Sequence, residues 1–264
     1  MKQILYIAHG GGPMPLLGDA SHADMVTQLQ AITQQIPSPS AILVISAHWE
    51  TDVPHVTTGV APELLYDYYG FPPESYEIQY PCQGSPELAN KVISAVAQAQ
   101  FPVQGEPTRG FDHGMFVPLK IMYPDATIPC VQLSLLNSLD AAAHIRLGQA
   151  LQTIDHDGLL ILGSGFSFHN MRAFFTPDQA SANEKNAAFQ AWLEDVCSST
   201  TITETERQQA LINWSQAPHA QFCHPREEHL LPLHVCYGAA GKACDEALTV
   251  HALHKESRMF YWRQ

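Results

Sequence analysis

The sequence predicts an α/β fold, a single domain with a central, mostly parallel sheet flanked by helices. Short apolar runs alternate with helical patterns along the chain, which is typical of a sheet layered with helices. No internal repeat, low-complexity segment or linker divides the chain. Its 264 residues are enough to bury a large core. We therefore expect residues 1–264 to form one domain.

The first two strands are predicted at residues 4–8 and 41–46. Both runs are apolar at almost every position, as expected for parallel strands that are buried on both faces. Between them, an apolar stripe at helical spacing indicates a helix over about 21–36. Ser21 and Asp24 form the pattern of a capping box at the start of this helix.

The rest of the chain continues the alternation after one long irregular segment. Residues 51–84 carry several prolines and tyrosines and exceed an ordinary connection, so we expect either a functional lid or a small subdomain there. Ser85 then caps a helix that has Pro86 at its first position. Further strands are predicted at 128–135, 159–162, 247–252 and 258–262. Further helices are predicted at 139–154, at 183–196 and after residue 227.

The charge balance and the cysteines exclude several classes of function. Lys and Arg total 13 against 26 Asp and Glu, which gives a net charge of −13. A chain this acidic repels nucleic-acid phosphates and anionic lipids, and no apolar stretch is long enough to span a membrane, so we expect neither partner. The six cysteines are scattered without a C-x-x-C pair, which argues against a cysteine zinc site and against a disulfide framework. We expect a cytoplasmic protein with reduced thiols.

Histidine is the informative residue type, with 14 copies against 13 of lysine and arginine together. Three of the apolar strands run directly into a histidine: His9 in HGGGP, His48 in SAHWE and His169 in GSGFSFHN. The carboxyl ends of parallel strands lie side by side, and ligands bind there. Neighbouring glycines allow the backbone to approach closely. We therefore predict that these histidines converge in a metal pocket at the carboxyl edge of the sheet.

Two further segments concentrate histidine. His113 lies in the string FDHG, and the string HPREEHLLPLH contains His224, His229 and His234. The latter string does not have the spacing of the H-E-x-x-H helix of zinc proteases. Six other histidines have no glycine-rich or strand-end context, and we expect them to be structural. They are His55, His144, His156, His219, His251 and His254.

The residue types indicate the chemistry of the expected pocket. Imidazoles without paired cysteines favour zinc, iron, copper or nickel over magnesium or calcium. Two or three protein ligands leave coordination positions open for catalysis, and additional histidines can act as general acid and base. The tyrosines of residues 51–84 could stack on a planar substrate or simply cover the core, and the sequence leaves both interpretations open.

The motifs, taken in order, resemble those of a known family. The strings HGGGPMP, SAHWE, GFDHG, GSGFSFHN and EEHLLPL occur in the order and spacing of the LigB-type (class III) extradiol ring-cleavage dioxygenases. Within that family the chain is most similar to the 4,5-DOPA dioxygenase-like group, and the resemblance covers nearly the whole chain. It implies a single catalytic α/β domain with a metal pocket at one edge of the sheet.

The resemblance also implies roles for the motif histidines. His9, His48 and His229 would hold the metal. His169 would be the acid–base histidine, and it would be close enough to serve as a fourth ligand when zinc is bound. His113 would be a second catalytic histidine that orients the substrate or stabilises negative charge during the reaction with oxygen. His224 and His234 match no role in the family.

The implied reaction is the opening of a small aromatic diol, a DOPA-like catechol, by O2. Many class III enzymes use two histidines and one glutamate, whereas three histidines are implied here, which suits Fe(II) for catalysis and Zn(II) as an ion bound in its place. Glu228 precedes one ligand position and would support it. Arg109 and Arg226 are the only basic residues that we place near the motifs, and we expect them to pair with Asp112 or Glu227 rather than with a substrate carboxylate.

Two other functions use the same residues. A zinc hydrolase would employ the three histidines as ligands, a metal-bound water as nucleophile, and Glu228 or His169 as base. A non-catalytic binding protein of the same fold would keep the pocket without its chemistry. The identity of the catechol, the metal used in the cell and the oligomeric state are open at this stage.

Overall fold

The apolar runs of the sequence form the centre of one eight-stranded sheet. The computed structural model describes residues 2–176 and 179–264. The strand order is β4-β3-β5-β2-β6-β1-β8-β7. The strands are β1 (Gln3–Ala8), β2 (Ala41–Thr51), β3 (His55–Thr57), β4 (Gln104–Glu106), β5 (Cys130–Leu136), β6 (Leu159–Gly165), β7 (Glu246–Ala252) and β8 (Lys255–Arg263).

The four central strands, β5, β2, β6 and β1, are parallel to one another. Antiparallel pairs lie towards the two edges, where β8 joins β1 and β7, and β3 joins β5. Every residue of β1, β5 and β6 is buried, because helices cover both faces of the sheet. The predicted α/β architecture with a mostly parallel sheet is therefore confirmed.

Helices pack on the sheet and against each other. Gly148 and Gly238 allow α4 (Ala141–Leu151) and α9 (Leu231–Ala240) to come close, since a Cβ at either position would lie 2.1 Å from a carbonyl oxygen of the other helix. No helix among residues 2–176 and 179–264 is long and apolar enough to cross a membrane. The helices are α1 (Ala23–Gln35), α2 (Pro86–Gln98), α3 (His113–Met122), α4 (Ala141–Leu151), α5 (Met171–Phe174), α6 (Gln179–Ser198), α7 (Glu204–Ile212), α8 (Ala220–Cys223) and α9 (Leu231–Ala240).

The predicted start of the first helix differs from the structure. The capping box is wrong: the Asp19 carboxylate accepts from the backbone N–H of Ser21 in a short 3₁₀ turn, and α1 begins at Ala23. Asp24 instead accepts a hydrogen bond of 2.7 Å from the backbone N–H of His251 in β7. The cap predicted at Ser85 is confirmed, because its hydroxyl accepts from the N–H of Leu88.

The second strand is longer than predicted, and this changes the position of one histidine. β2 continues to Thr51, so His48 lies within the strand rather than beyond its end. The pairing of β2 with β5 shifts register between Ile45 and Glu50, which is where the polar residues begin. The segment 51–84 also contains the short strand β3, which the sequence did not indicate.

Candidate metal centre

Several of the strand-end histidines lie at one edge of the sheet. His9 directly follows β1, and its backbone N–H donates to the carbonyl of Gly165 at the end of β6 over 3.1 Å. His48 projects from the last part of β2. His169 follows β6, and its N–H donates to the carbonyl of Cys223 over 2.9 Å. The parallel register of β1, β6 and β2 thus brings together side chains that are up to 160 residues apart in sequence.

The imidazole rings of His9, His48 and His229 form a nearly equilateral triangle. Their centroids are 4.9 Å apart for His9 and His48, 5.0 Å for His48 and His229, and 5.2 Å for His9 and His229. His113 lies beside this triangle, with its centroid 3.9 Å from that of His48. His169 stacks on His229 with centroids 3.4 Å apart and an angle of 16° between the rings. Five imidazoles therefore meet in one place.

The hydrogen bonds of His9 fix its tautomer. The Ser164 hydroxyl lies 3.0 Å from His9 Nδ1 and donates its own proton to the carbonyl of Gly114. His9 Nδ1 is therefore the donor, and Nε2 keeps its lone pair. Burial, followed by the neighbouring His48, holds the pKa of His9 well below its usual value. A neutral imidazole with a free Nε2 is the form that binds a metal ion.

One carboxylate oxygen connects His229 and His169. Glu228 Oε1 lies 2.8 Å from Nδ1 of His229 and 3.1 Å from Nδ1 of His169. Burial acts to raise the pKa of Glu228, but the hydrogen bond and charge of His169, together with Arg226, hold the pKa below its usual value. Glu228 is therefore ionised and accepts from both rings. Burial, followed by His169, keeps the pKa of His229 well below its usual value.

A second carboxylate, that of Asp67, contacts His113 and His48. Asp67 Oδ1 accepts from Nδ1 of His113 at 2.8 Å and from the His113 backbone N–H at 3.0 Å. Asp67 Oδ2 lies 3.8 Å from Nδ1 of His48. Burial, followed by His113, lowers the pKa of His48 to about 3, and Asp67 only partly opposes this. Sequence reasoning missed Asp67, because no motif surrounds it; the bridge between Leu64 and Phe111 brings its segment to the site.

The tyrosines around Asp67 mainly cover the core. Tyr66, Tyr68 and Tyr76 pack edge-on or tilted against one another, with centroids 5.4–6.2 Å apart. Tyr66 also contacts Phe116 of α3 at 5.8 Å. The ring of Tyr68 lies 5.6 Å from that of His113, so the packed tyrosines hold Asp67 in place beside the histidines. This favours the core-covering interpretation of these tyrosines over stacking on a substrate.

The spacing of two donor atoms, those of His9 and His48, fits a shared zinc or iron ion. His9 Nε2 and His48 Nε2 are 3.0 Å apart. Two nitrogen ligands at about 2.0–2.1 Å from one ion, at angles between octahedral and tetrahedral, are separated by about 2.9–3.4 Å. Two groups of three side chains also place one ligand atom each within 4.8 Å of the others. The groups are His9 with His48 and His113, and His169 with Glu228 and His229.

A buried network supports the end of β2 behind the histidines. The carboxylate of Asp112, which is fully buried, accepts from the Ser46 hydroxyl at 2.7 Å, from the Gln132 amide at 2.9 Å and from Arg109 at 3.2 Å. The Ser46 oxygen in turn accepts from the backbone N–H of His48 at 3.1 Å. The predicted pairing of Arg109 with Asp112 is confirmed, so the charge of Arg109 is already paired within the protein.

The predictions for the other basic side chains are confirmed only in part. Arg226 pairs with acids of the protein, as expected, but these are Glu50, through both oxygens at 2.7 and 2.5 Å, and Glu228, at 3.3 Å, rather than Glu227. Arg109 and Arg226 are also not the only basic residues near the motifs. Arg172 and Lys185 join Arg226 in lining a cavity of about 790 Å³ that His169 and Glu228 border. Arg172 lies three residues after His169, which is a signal that the sequence offered.

The other histidines lie outside this centre. His144 is fully buried, and both of its ring nitrogens bond to backbone groups. His234 is fully buried as well, and its Nε2 donates to the carbonyl of Leu211 over 2.9 Å. His224 is also fully buried, and its Nε2 bonds to the carbonyl of Ser167 over 2.8 Å. Sequence reasoning overlooked His22, whose Nε2 accepts from the N–H of Gly11 and so fixes the loop after β1. The half-buried or exposed histidines are His55, His156, His219, His251 and His254.

Comparison with known proteins agrees with this geometry. The family model described as "Catalytic LigB subunit of aromatic ring-opening dioxygenase" matches residues 4–262. The chain belongs to the LigB family. The dioxygenase tasH of Hapsidospora irregularis is 40% identical over 254 residues, which cover 91% of this chain and 78% of that protein. The 4,5-DOPA dioxygenase extradiol of Beta vulgaris is 39% identical over 245 residues, which cover 92% and 88%.

The solved structures include one with a similar fold that aligns over nearly the full length. An uncharacterized protein from Escherichia coli K12 has a TM-score of 0.72 and 30% sequence identity, and the alignment covers 99% of both chains. The family resemblance inferred from the five motifs is thus confirmed. As a member of the LigB family, the chain is a non-haem, ring-opening dioxygenase of the extradiol type.

Proposed function

We propose that this LigB-family protein opens the ring of a DOPA-like catechol beside its two hydroxyls, with residues 1–264 forming one catalytic domain. Fe(II) is the proposed catalytic metal, and Zn(II) is able to take the same site. The single observation that carries the proposal is the triangle of imidazole centroids 4.9–5.2 Å apart, flanked by two carboxylate-bonded histidines. The DOPA-like substrate is supported by relatives from Beta vulgaris and Mirabilis jalapa that are named 4,5-DOPA dioxygenase extradiol.

His9, His48 and His229 are the proposed metal ligands. Each has one ring nitrogen facing a side-chain oxygen, from Ser164, Asp67 and Glu228 respectively, which leaves the other nitrogen for the ion. His169 is the proposed fourth ligand when zinc is bound, since its ring stacks on that of His229. This arrangement leaves room for a substrate and for O2 on an ion with three protein ligands.

His169 and His113 are the proposed catalytic residues. When bound, Fe(II) would lower the pKa of the catechol hydroxyls and allow O2 to react with the ring. His169 Nε2 would take the proton from a catechol hydroxyl and return it as the ring opens, because Glu228 holds Nδ1 and stabilises the protonated imidazole. His113 Nε2 would orient the substrate, because Asp67 holds its Nδ1. Both atoms of O2 enter the ring-opened semialdehyde.

Oxygen consumption tests the proposal. The Fe(II)-reconstituted protein would be supplied anaerobically with catechol, DOPA or protocatechuate and then mixed with O2, alongside zinc-loaded and metal-free protein. We expect O2 uptake and a yellow product with Fe(II) only. No uptake with any catechol, despite a filled metal site, would favour zinc-dependent hydrolysis or a non-catalytic role. Assays with ester and amide substrates would then separate these two functions.

Partners and location follow from the composition and remain predictions. The net charge of −13 supports a small-molecule substrate rather than nucleic acid or a lipid surface. The six cysteines are buried and free, which supports the proposed cytoplasmic location.

A further inference from the structure

A cavity that borders His169 and Glu228 has an unusual charge for so acidic a chain. It encloses about 790 Å³ and reaches from His169 and Glu228 at one end to α5 and α6. Its wall is partly apolar, with Phe222 among the lining side chains, which suits a phenyl ring and its substituent. Three of its lining residues are cationic, whereas Glu228 is the only acidic one among the described residues.

The three cations differ in whether they already have a partner. Arg226 is neutralised by its two contacts with Glu50, at 2.7 and 2.5 Å. The ammonium of Lys185 lies 4.7 Å above the centroid of the Phe222 ring. Within the described ranges, no carboxylate pairs with Lys185 or with the guanidinium of Arg172. Two cations therefore face the cavity with unused charge.

We propose that Lys185 and Arg172 form an anion-binding subsite that holds a carboxylate of the substrate, remote from the diol. The inference rests on the proposed function, because it assumes that the diol lies at the histidine end of the cavity. Glu228 Oε1 accepts from His169 and His229, and Oε2 lies 3.3 Å from Arg226, so the carboxylate of Glu228 does not neutralise Lys185 or Arg172. The cavity therefore selects a catechol with a carboxylate side chain over a neutral one.

Equilibrium binding to zinc-loaded protein tests the subsite without turnover. Calorimetry would compare 3-(3,4-dihydroxyphenyl)propionate, DOPA and the neutral 4-ethylcatechol. A charged hydrogen bond corresponds to roughly a tenfold change in Kd or more, so we expect the propionate and DOPA, which both carry a carboxylate, to bind at least about tenfold tighter than 4-ethylcatechol. The same ratios are expected in 1/KM for the Fe(II)-loaded protein, with smaller changes in kcat, because the contact is remote from the reacting carbons.

Substitutions assign the selectivity to the two residues. Lys185→Met keeps the stem over Phe222 and removes the charge, so the ratio of the 4-ethylcatechol Kd to the propionate Kd should fall about tenfold. Arg172→Gln should lower the same ratio, and Lys185→Arg should preserve it. Lys91→Met, which removes an exposed lysine paired with Glu87 on α2, is the matched control and should leave the ratio unchanged.

Failure of the anion-binding subsite and failure of the proposed function give different results. Equal Kd values for propionate and 4-ethylcatechol in the wild type, or a ratio that neither substitution changes, would overturn the subsite. DOPA binding as weakly as 4-ethylcatechol would also count against a carboxylate subsite. Failure of the proposed function would be seen separately, as no O2 uptake by the Fe(II)-loaded wild type with any of the three compounds.

Discussion

Two regions of the molecule bury histidines in opposite ways. Behind the sheet, His144 donates from Nδ1 to the carbonyl of Asp140 at 2.7 Å and accepts from the N–H of Leu136 at 3.0 Å. At the carboxyl edge, His9 Nδ1 donates to the hydroxyl oxygen of Ser164, and His9 Nε2 lies only 3.0 Å from Nε2 of His48. Both nitrogens of the His144 ring are hydrogen-bonded to backbone groups. In His9 only Nδ1 is hydrogen-bonded to an oxygen, and Nε2 is available to a metal ion.

The difference shows how the same residue type serves structure or chemistry. A ring bonded at both nitrogens contributes two hydrogen bonds to the fold and has no lone pair for an ion. A ring held at one nitrogen by a hydroxyl or carboxylate presents the other nitrogen in a fixed direction. His9 and His144 are both buried, so the number of free nitrogens, rather than exposure, distinguishes these two histidines.

The largest effect is expected for His48→Ala. Removal of one of three proposed ligands should abolish stoichiometric metal binding and reduce turnover to background, while the thermal midpoint of the metal-free protein changes little. Metal content after anaerobic Fe(II) loading, together with thermal unfolding of the metal-free protein, would check this. Full metal content in the variant would show that His48 is not a ligand. Unfolding of the variant would place His48 with the structural histidines.

The next effect is expected for His169→Ala. The protein should still bind Fe(II), but turnover should fall on the order of 10²–10⁴-fold, which is the usual contribution of a general acid–base group. Steady-state O2 uptake at equal metal content would measure the change. An unchanged rate would remove His169 from the proposed acid–base role.

A smaller effect on turnover is expected for Asp67→Asn. The amide keeps the size of the side chain but loses the charge that fixes Nδ1–H of His113, so activity should fall roughly 10–100-fold. Asp125→Asn, on an exposed turn, is the matched control and should leave turnover unchanged. Equal rates for the wild type and Asp67→Asn would mean that the carboxylate does not tune the site.

Substitution of a structural histidine should lower stability and leave turnover unchanged. His144→Gln should retain the wild-type kcat in the metal-loaded protein but lower the free energy of unfolding by about 1–3 kcal/mol, since at least one buried backbone partner is left unpaired. Urea unfolding and O2 uptake on the same preparations would show the split. A loss of turnover with full stability would contradict the division into two kinds of histidine.

The pH dependence of stability gives a further test of the buried structural histidines. Burial lowers the pKa of His144 to about 4 and that of His224 to about 3, whereas both would titrate at about 6.5 in the unfolded chain. The unfolded state therefore binds more protons below about pH 6.5, so stability falls as the pH is lowered from there towards about 4 and 3, respectively. The loss approaches about 1.4 kcal/mol per pH unit for each histidine.

The non-titrating His144→Gln variant isolates one part of this slope. Between pH 6.5 and 4.5 its free energy of unfolding should decline less steeply than that of the wild type in urea titrations of metal-free protein. Parallel declines would indicate that His144 titrates alike in the folded and unfolded states.

The sequence predicted the parts of the site that follow from local pattern. Apolar runs ending at His9 and His169 predicted strands and placed their histidines at the same sheet edge. Asp67 was not predictable in this way, because its contact with His113 depends on how a segment of more than 30 residues folds back onto α3. The capping box failed for a related reason, since Asp19, just upstream, competes for the same turn.

Crystallography of the zinc-loaded protein, with anomalous scattering at the zinc edge, tests the central claim most directly. The account predicts one strong peak within about 2.0–2.1 Å of the Nε2 atoms of His9, His48 and His229. It also predicts that Ser164 and Glu228 keep their contacts with the Nδ1 atoms of His9 and His229. A peak bound elsewhere, or bound through Nδ1 atoms, would contradict the proposed metal centre.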